Sequence, residues 1–532
     1  MDRQLAGNPR AWAAAGIALL IHCAVVSAAP APAPVRHIDI WEFDIDGNSV
    51  LDEATITDAV SRYTGPERTA DDVDAARASL EAAYKQRGYR TVSVSIPKQS
   101  VREGIVRLQV NESHIEHLNV IGSKYHSIDQ IKELAPSLAE GEVPDFTRVQ
   151  HDLAALNQQA DRRVTPALKA GNAPGTVDVD LVVDDKLPLH GSLELNNRQS
   201  QSTTPLRATA ALSYDNLWQR GHSLSLSYNV APRRSSDSGV WFGSYLMHFS
   251  DTSFNLLFNA LKSDSNVSTV GGTEVLGTGR MFGLRGVWQL SASEGFYSSA
   301  TFGADYKHFN TVTMLGSSQL PTPVTYVPFT IGYSAMWRGA AVTQFDGSLM
   351  YTAAWIGSDE ATLDLNRLSA RGNMLSLRLS LATTRPLVAD SQLYAAVHTQ
   401  LTDQPLISNE QFSAGGMDSV RGYYEAETLG DYGFHATTEL RSPSMIDALP
   451  FGPYPAGEFR GFAFVDGSVL RLRPPVNAGQ GDQTSLASFG AGFNFTLSPA
   501  FVSSLVWADP LIDGSATRAW SSRFLFRVAT SF

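Results

Sequence analysis

The chain has 532 residues, 42 glycines and a formal charge of −12. That length exceeds one ordinary soluble domain, and the acidic balance argues against a nucleic-acid partner. No stretch beyond the N-terminus offers eighteen continuous apolar residues, which argues against a helical membrane protein.

In chain order, the first segment reads as a secretory signal. Arg3 and Arg10 form its basic region, Ala11–Val26 its apolar core, and Val26-Ser27-Ala28 its cleavage site. The core is short for a membrane span. The expected signal peptide is residues 1–28, with the cut after Ala28. The sole cysteine, Cys23, lies inside that core. The mature chain is therefore expected to have no disulfide, which an oxidising compartment tolerates. Residues 29–35 form a Pro/Ala linker.

Residues 36–185 mix helices and strands in two similar units, 36–112 and 113–185. The first opens with HIDIWEFDIDGNSVL, followed by a helix near Glu53–Tyr63. A second helix follows Thr69, a suitable cap, with Asp72 in its first turn. Val73, Ala76, Leu80, Ala83 and Tyr84 fall on one face of it, and Gly88 ends it. Strands follow at 91–96 and 105–110. The second unit repeats the order, with strands near 115–122, 163–168 and 177–183 and helices near 128–138 and 146–159. A β-α-α-β-β unit of about 75 residues is a small α+β domain with helices on one sheet face. Its other face and its edge strand stay available.

Residues 186–532 are all strand and turn. Sixteen candidate strands lie near 189–198, 206–215, 222–231, 240–249, 253–262, 276–290, 296–309, 324–338, 341–355, 372–385, 391–402, 432–442, 458–468, 485–497, 501–511 and 522–532. An even number suits antiparallel closure of one chain. Several alternate cleanly: Leu375, Leu377, Leu379 and Leu381 oppose Ser376, Arg378 and Ser380. Periodicity alone does not separate a soluble sandwich from a membrane barrel. The signal segment, the tryptophans near strand ends and the terminal strand favour the barrel. In that last strand Phe524, Phe526, Val528, Thr530 and Phe532 share one face, while Arg523 and Arg527 lie on the other. A chain ending mid-strand on an aromatic leaves an open edge unless the strand closes a barrel. Phe524, Phe526, Val528 and Phe532 are the expected C-terminal membrane-assembly signal. Arg378, Arg441, Arg460, Arg527 and Glu439 are expected to face the lumen, because charge on the lipid side is expensive.

The element order, with KQRGYRTVSVSIPKQSVREGIVRLQV in the first unit and NAPGTVDVDLVV in the second, resembles a pair of polypeptide-transport-associated (POTRA) domains. DNLWQRGHSLSLSY (215–228), DSVRGYYEAE (418–427) and GFAFVDG (461–467) extend the likeness. After residue 35 the chain resembles the two-partner secretion transporters, or hemolysin secretion/activation family, relatives of barrel-assembly proteins. The resemblance implies a transmembrane β-barrel of about sixteen strands (186–532) in the bacterial outer membrane, preceded by POTRA 1 (36–112) and POTRA 2 (113–185) in the periplasm. It further implies an unfolded secreted exoprotein as client, outer-membrane lipid around the barrel, and barrel-assembly machinery for its insertion. No cofactor or metal is expected.

In that family a long extracellular loop folds back into the barrel, and the arginine of its VRGY motif docks on an inner-wall aspartate. The matching residues here are Val420, Arg421, Gly422 and Tyr423, with Asp466 as the partner. A guanidinium in a narrow lumen needs a counter-charge, and a carboxylate offers two acceptors. Taken alone, an Arg-Gly pair is an ordinary loop feature. An open sheet edge in the POTRA pair would add an extended client segment by backbone pairing. Some family members plug the pore with an N-terminal helix; the short Pro/Ala stretch before Arg36 is expected to form none.

Enzyme motifs are missing. There is no Gly-x-Ser-x-Gly, His-Glu-x-x-His or Gly-x-x-x-x-Gly-Lys, and no cysteine cluster. GTGRMFG (277–283) sits in a strand-turn context that suits a barrel better than a phosphate loop. Alternatives to a translocase are an insertase for other barrels and a simple diffusion porin.

Overall fold

The computed structural model describes residues 36–532 apart from 102, 158, 160, 202, 250–251, 266, 271–272, 294, 311, 316–317, 447–456 and 475–480. The expected signal peptide and Pro/Ala linker lie outside the described residues. The chain divides into two compact units. One holds the part up to Leu118 with Ser137–His151 and Leu168–Val179; the other holds Asn119–Pro136, Asp152–Ala167 and Asp180–Phe532.

In the first unit, Ile105–Asn111 is the centre of a three-stranded sheet. It runs parallel to Glu42–Asp46 and antiparallel to Ser93–Ser95. Two helices, Glu53–Val60 and Ala70–Gln86, cover it. The longer one begins at Thr69, whose side chain accepts from Asp72 N while the Asp72 carboxylate accepts from Thr69 N at 2.8 Å. This reciprocal cap satisfies two donors the helix start would leave unpaired. Val73, Ala76, Leu80 and Tyr84 are buried against Val94, Val106, Leu108 and Val110. The helix stops at Gly88, whose φ of +100° a residue with a Cβ adopts only at a cost.

The opening segment forms two strands, Ile38–Ile40 and Glu42–Asp46, with a break at Trp41. Ile38–Ile40 pairs with Gly65–Arg68, a strand the sequence did not announce. Trp41 N and Glu42 N both turn to Gly104 O, at 2.8 and 3.3 Å. Further along lie helices Ile128–Glu133 and Phe146–Leu156, and a sheet ordered His114–Ile121, Thr176–Asp185, Arg162–Ala170.

The barrel closes with sixteen strands: β1 (Leu189–Asn196), β2 (Arg207–Leu217), β3 (His222–Val230), β4 (Gly239–His248), β5 (Phe254–Ser263), β6 (Thr278–Ser293), β7 (Phe296–Asn310), β8 (Val324–Arg338), β9 (Val342–Gly357), β10 (Leu375–Pro386), β11 (Gln392–Thr402), β12 (Tyr432–Arg441), β13 (Glu458–Arg471), β14 (Gln483–Ser498), β15 (Phe501–Pro510) and β16 (Arg523–Ser531). All pair antiparallel with their sequence neighbours, and β16 returns to β1. That seam spans only the five pairs from Arg527–Asn196 to Ser531–Ser192. Asn197 extends it, donating to Phe524 O at 2.7 Å and accepting from Phe526 N at 2.9 Å.

Polarity is inverted relative to a soluble sandwich. One lateral row reads Leu212, Leu226, Gly243, Ala260, Phe282 and Tyr306 across β2 to β7. Its leucines and Phe282 are exposed, as are Val465, Leu505 and Phe524 on other strands. A band of that extent in water would forfeit about 25 cal/mol for every Å² of apolar surface, so its solvent is hydrocarbon. Several charged residues turn the other way: Asp466, Glu439, Arg460 and Asp305 are buried on the inner wall. No helix among the described residues is long and apolar enough to cross a membrane.

Candidate functional site

The connection between β11 and β12, residues 403–431, lies against the inner wall rather than beyond the strand ends. Phe412–Ala414 pairs with Thr428–Gly430 as a short hairpin, and the VRGY segment sits at its turn. Gly415 and Gly416, both at φ +108°, start the reversal. Val420 and Tyr423 are buried with Ala414, Leu470 and Leu486.

β12 and β13 hold the receiving side. Alternation along β13 places Arg460, Phe462, Phe464 and Asp466 inward, and along β12 Thr437, Glu439 and Arg441. Register sets Thr437 opposite Asp466 and Glu439 opposite Phe464. Arg421 drops between them. Its Nε and Nη2 donate to Asp466 Oδ2 and Oδ1, both at 2.8 Å, and its own backbone N donates to Oδ2 at 3.0 Å. Nη1 donates to Glu439 Oε1 at 2.6 Å, and Nη2 reaches Thr437 Oγ1 at 3.2 Å. Thr437 in turn donates to Asp466. The guanidinium lies 3.5 Å from the Phe464 ring centroid. Arg441, 2.7 Å from Glu439, completes a set of two cations and two carboxylates. Asp466 is 1% exposed and Arg421 6%, so pairing rather than solvent stabilises these charges.

Gly422 adopts φ +95° with Pro510 and Ala508 beside it. Tyr423 donates to the carbonyls of Ala487 and Ile512, at 2.9 and 2.7 Å. Further fastenings flank the motif. Arg198 binds Asp418 at 2.6 Å and Glu425 at 3.0 Å. Glu427 accepts from Ala516 N and Thr517 N at 3.0 and 2.8 Å. Buried Asp431 accepts from Leu406 N and Arg473 N at 2.9 and 2.7 Å.

The structure thus brings Val420, Arg421, Gly422, Tyr423 and Asp466 together. It places Phe524, Val528 and Phe532 elsewhere, on the exposed outer face of β16; Phe526 shares that face but is partly covered. The expected lumen charges all find partners. Arg378 bonds Gln400 at 2.5 Å, Arg460 bonds Asp390 at 2.9 Å and Arg527 bonds Glu194 at 2.8 Å. Sequence reasoning did not assign Phe464, Thr437 or Arg198 to the site. Phe464 stands two residues before Asp466, and period-2 spacing puts it on the same face.

Two histidine–carboxylate groups have metal-like spacing among the described residues, Glu116–His117–Asp178 and Asp161–His190–Asp215. In each, the histidine is hydrogen-bonded to an aspartate, at 3.1 and 2.8 Å, and that bond accounts for the grouping.

Comparison with known proteins agrees with this architecture. The model of the ShlB-type POTRA domain matches residues 38–113. Among curated relatives, "Outer membrane transporter CdiB" of Dickeya dadantii (strain 3937) is 24% identical over 437 residues, covering 80% of this chain and 74% of its own. Among solved structures, CdiB from Escherichia coli superposes with a TM-score of 0.63 at 19% identity, over 95% of this chain and 92% of that one. BamA from Haemophilus ducreyi lacking POTRA domains 1–3 gives 0.56 at 14% identity, over 93% and 100%. At these identities the superpositions speak for the fold. Membership comes from the family model for the haemolysin secretion/activation protein ShlB/FhaC/HecB, which matches residues 175–495. The chain belongs to that family of transporters.

Proposed function

We propose that this chain is the outer-membrane translocase of a two-partner secretion system. A secreted exoprotein reaches the periplasm unfolded, docks on the POTRA domains and threads outward through the barrel. The observation that carries this reading is the loop stored inside the barrel and latched by Arg421 to Asp466 and Glu439. A latch of paired charges holds a closed state yet exchanges partners at modest cost, because an incoming chain supplies new hydrogen bonds. In the proposed orientation the α+β domains face the periplasm, where an exposed sheet edge receives an extended client segment by backbone pairing. The lumen-facing Arg378 and Arg527, each about half exposed, offer transient contacts on the way. The outer face of the terminal strand, with Phe524, Phe526, Val528 and Phe532, serves as the signal read by barrel-assembly machinery.

Co-expression tests the reading. A secreted exoprotein that is its client should reach the cell surface only when this chain is present. Surface appearance without it ends the proposal. Depletion separates an insertase: loss of many outer-membrane barrels, rather than of one client, would mark that activity instead.

A further inference from the structure

On the outer wall, at the strand ends farthest from Leu189, a second lateral row reads Tyr228, Trp241, Lys262, Arg280, His308 and Thr325 across β3 to β8. It lies one pleat beyond the apolar row containing Leu226 and Phe282, on the same face. Lys262 stands directly opposite Arg280. Like charges facing each other across a strand pair destabilise a sheet, and here both project from a lipid-facing wall. Lys262 is 68% exposed on its side chain, and its only carboxylate partner among the described residues is exposed Asp264 at 3.4 Å. Arg280 is exposed and makes no ion pair with any described residue. His308 beside it bonds Thr325 Oγ1 at 2.7 Å. Trp241 stacks on Tyr228 with centroids 4.3 Å apart. Trp241, Lys262, Arg280 and His308 of this row border a groove of about 660 Å³ whose floor is apolar, with Leu226 and Phe282 below and Asp264 at its rim.

Cations above an aromatic floor, at the edge of a hydrocarbon-facing band, complement a molecule with an anionic head and acyl chains. Among the described residues one carboxylate, exposed Asp264, reaches Lys262 and none pairs with Arg280, and two opposed cations are relieved by one doubly charged group lying between them. We propose that the groove binds the phosphate-bearing headgroup of a multi-acylated glycolipid in the outer leaflet. Lys262 and Arg280 would clamp the phosphate, and the acyl chains would run down past Phe282 and Leu226. The proposal rests on the reading that this barrel spans the outer membrane with these strand ends outward.

The test uses the full chain purified in neutral detergent, with binding of bis-phosphorylated lipid A followed by native mass spectrometry. Wild-type protein should prefer it over dephosphorylated lipid A of the same acylation by about tenfold or more. The Lys262→Gln/Arg280→Gln variant should lose that preference. A Lys98→Gln/Lys124→Gln variant, which removes the same charge from exposed positions in residues 36–185, should keep it. Inorganic phosphate alone should not displace the lipid, since it leaves the apolar floor empty. Equal binding of the two lipids by wild-type protein, equal loss in both variants, or displacement by inorganic phosphate would each overturn the proposal. The lipid comparison on wild-type protein needs no variant to fold. Protein that discriminates the lipids but exports no client would sink the transport reading and leave this one standing; the converse would sink this one alone.

Discussion

Arg421 sits where a charge is least welcome, inside a wall with almost no solvent access, and is kept there by complementarity at every donor. Nε and both Nη atoms have acceptors, and Phe464 covers the guanidinium face. Removing one partner of such a group costs more than the pair itself contributes, because the other charge stays buried and uncompensated; about 3–5 kcal/mol is typical. Arg421→Ala strands Asp466, whereas Glu439 retains Arg441. Barrel closure rests on backbone ladders that this side chain does not enter, so the variant should still show the heat-modifiable gel mobility of a folded barrel. Export of the client should fall by an order of magnitude or more. Arg421→Lys should not rescue it, because an ammonium cannot make the two-pronged contact with Asp466 while also reaching Glu439. Adding Asp466→Ala to Arg421→Ala should do little further harm, since both changes remove one interaction. Normal export by Arg421→Ala at normal abundance would remove the latch from the mechanism.

At the scale of elements, the turn of residues 123–126 shows how one buried charge organises backbone. Asp185, at the end of its strand, accepts from the backbone N of Lys124, Tyr125 and His126, at 2.9, 2.8 and 3.2 Å. Burial opposes its ionisation, yet these donors outweigh burial and hold its carboxyl below the usual range. His126, enclosed between Asp185 and Gln159, is pushed the other way from a charged imidazole: burial first, then nearby Arg162, lowers its pKa despite the Asp185 bond. A histidine whose folded pKa lies below its unfolded value of about 6.5 contributes stability that is present above that value and lost as pH falls through it. Asp185 contributes in the same direction at lower pH, above its unfolded value and lost on further acidification. Hydrogen exchange on the full chain should therefore show residues 119–136 losing protection between about pH 7 and pH 5. His126→Gln should flatten that loss. Unchanged protection in wild-type protein across the interval would refute the assignment. The same turn explains part of the 215–228 motif. Asn216 and Gln219 donate to Tyr125 O at 3.3 and 3.1 Å, and Gln219 accepts from Ser127 N at 3.0 Å.

For the molecule as a whole, lipid made the barrel legible. A wall wetted by hydrocarbon on one side must alternate, so all sixteen strands could be located to within a few residues from periodicity and turns alone. What stayed hidden lacks that constraint. The strand Gly65–Arg68 is short, charged and proline-containing, and the helix Glu360–Asn366 and loop hairpins such as Phe412–Ala414 with Thr428–Gly430 obey local capping or contacts with the wall. The pairing of Arg421 with Asp466 was reachable only through family likeness. Glu439 was recognised as an inward charge, but its neighbour depends on the register between β12 and β13, which no single strand encodes. In the proposed mechanism that stored loop also sets the resting state. It is fastened along its length by Arg198 to Glu425, Arg421 to Asp466, Glu427 to the backbone of 516–517, and Asp431 to Leu406 and Arg473. Asp466 lies on the inner wall, whereas Arg198, Leu406, Arg473 and residues 516–517 lie just past the strand ends, so in the proposed mechanism the loop is tied across the mouth of the barrel and obstructs the lumen. Replacing residues 417–427 with a short Gly-Ser linker removes the Arg198, Arg421 and Glu427 fastenings together. In planar bilayers that protein should open to a several-fold larger unit conductance than wild type, and cells carrying it should admit bulky antibiotics that wild-type cells exclude. Arg421→Ala, with the flanking bonds intact, should fall between the two. A wild-type conductance already equal to that of the shortened loop would mean the loop does not obstruct the pore, and closure would have to come from elsewhere in the chain.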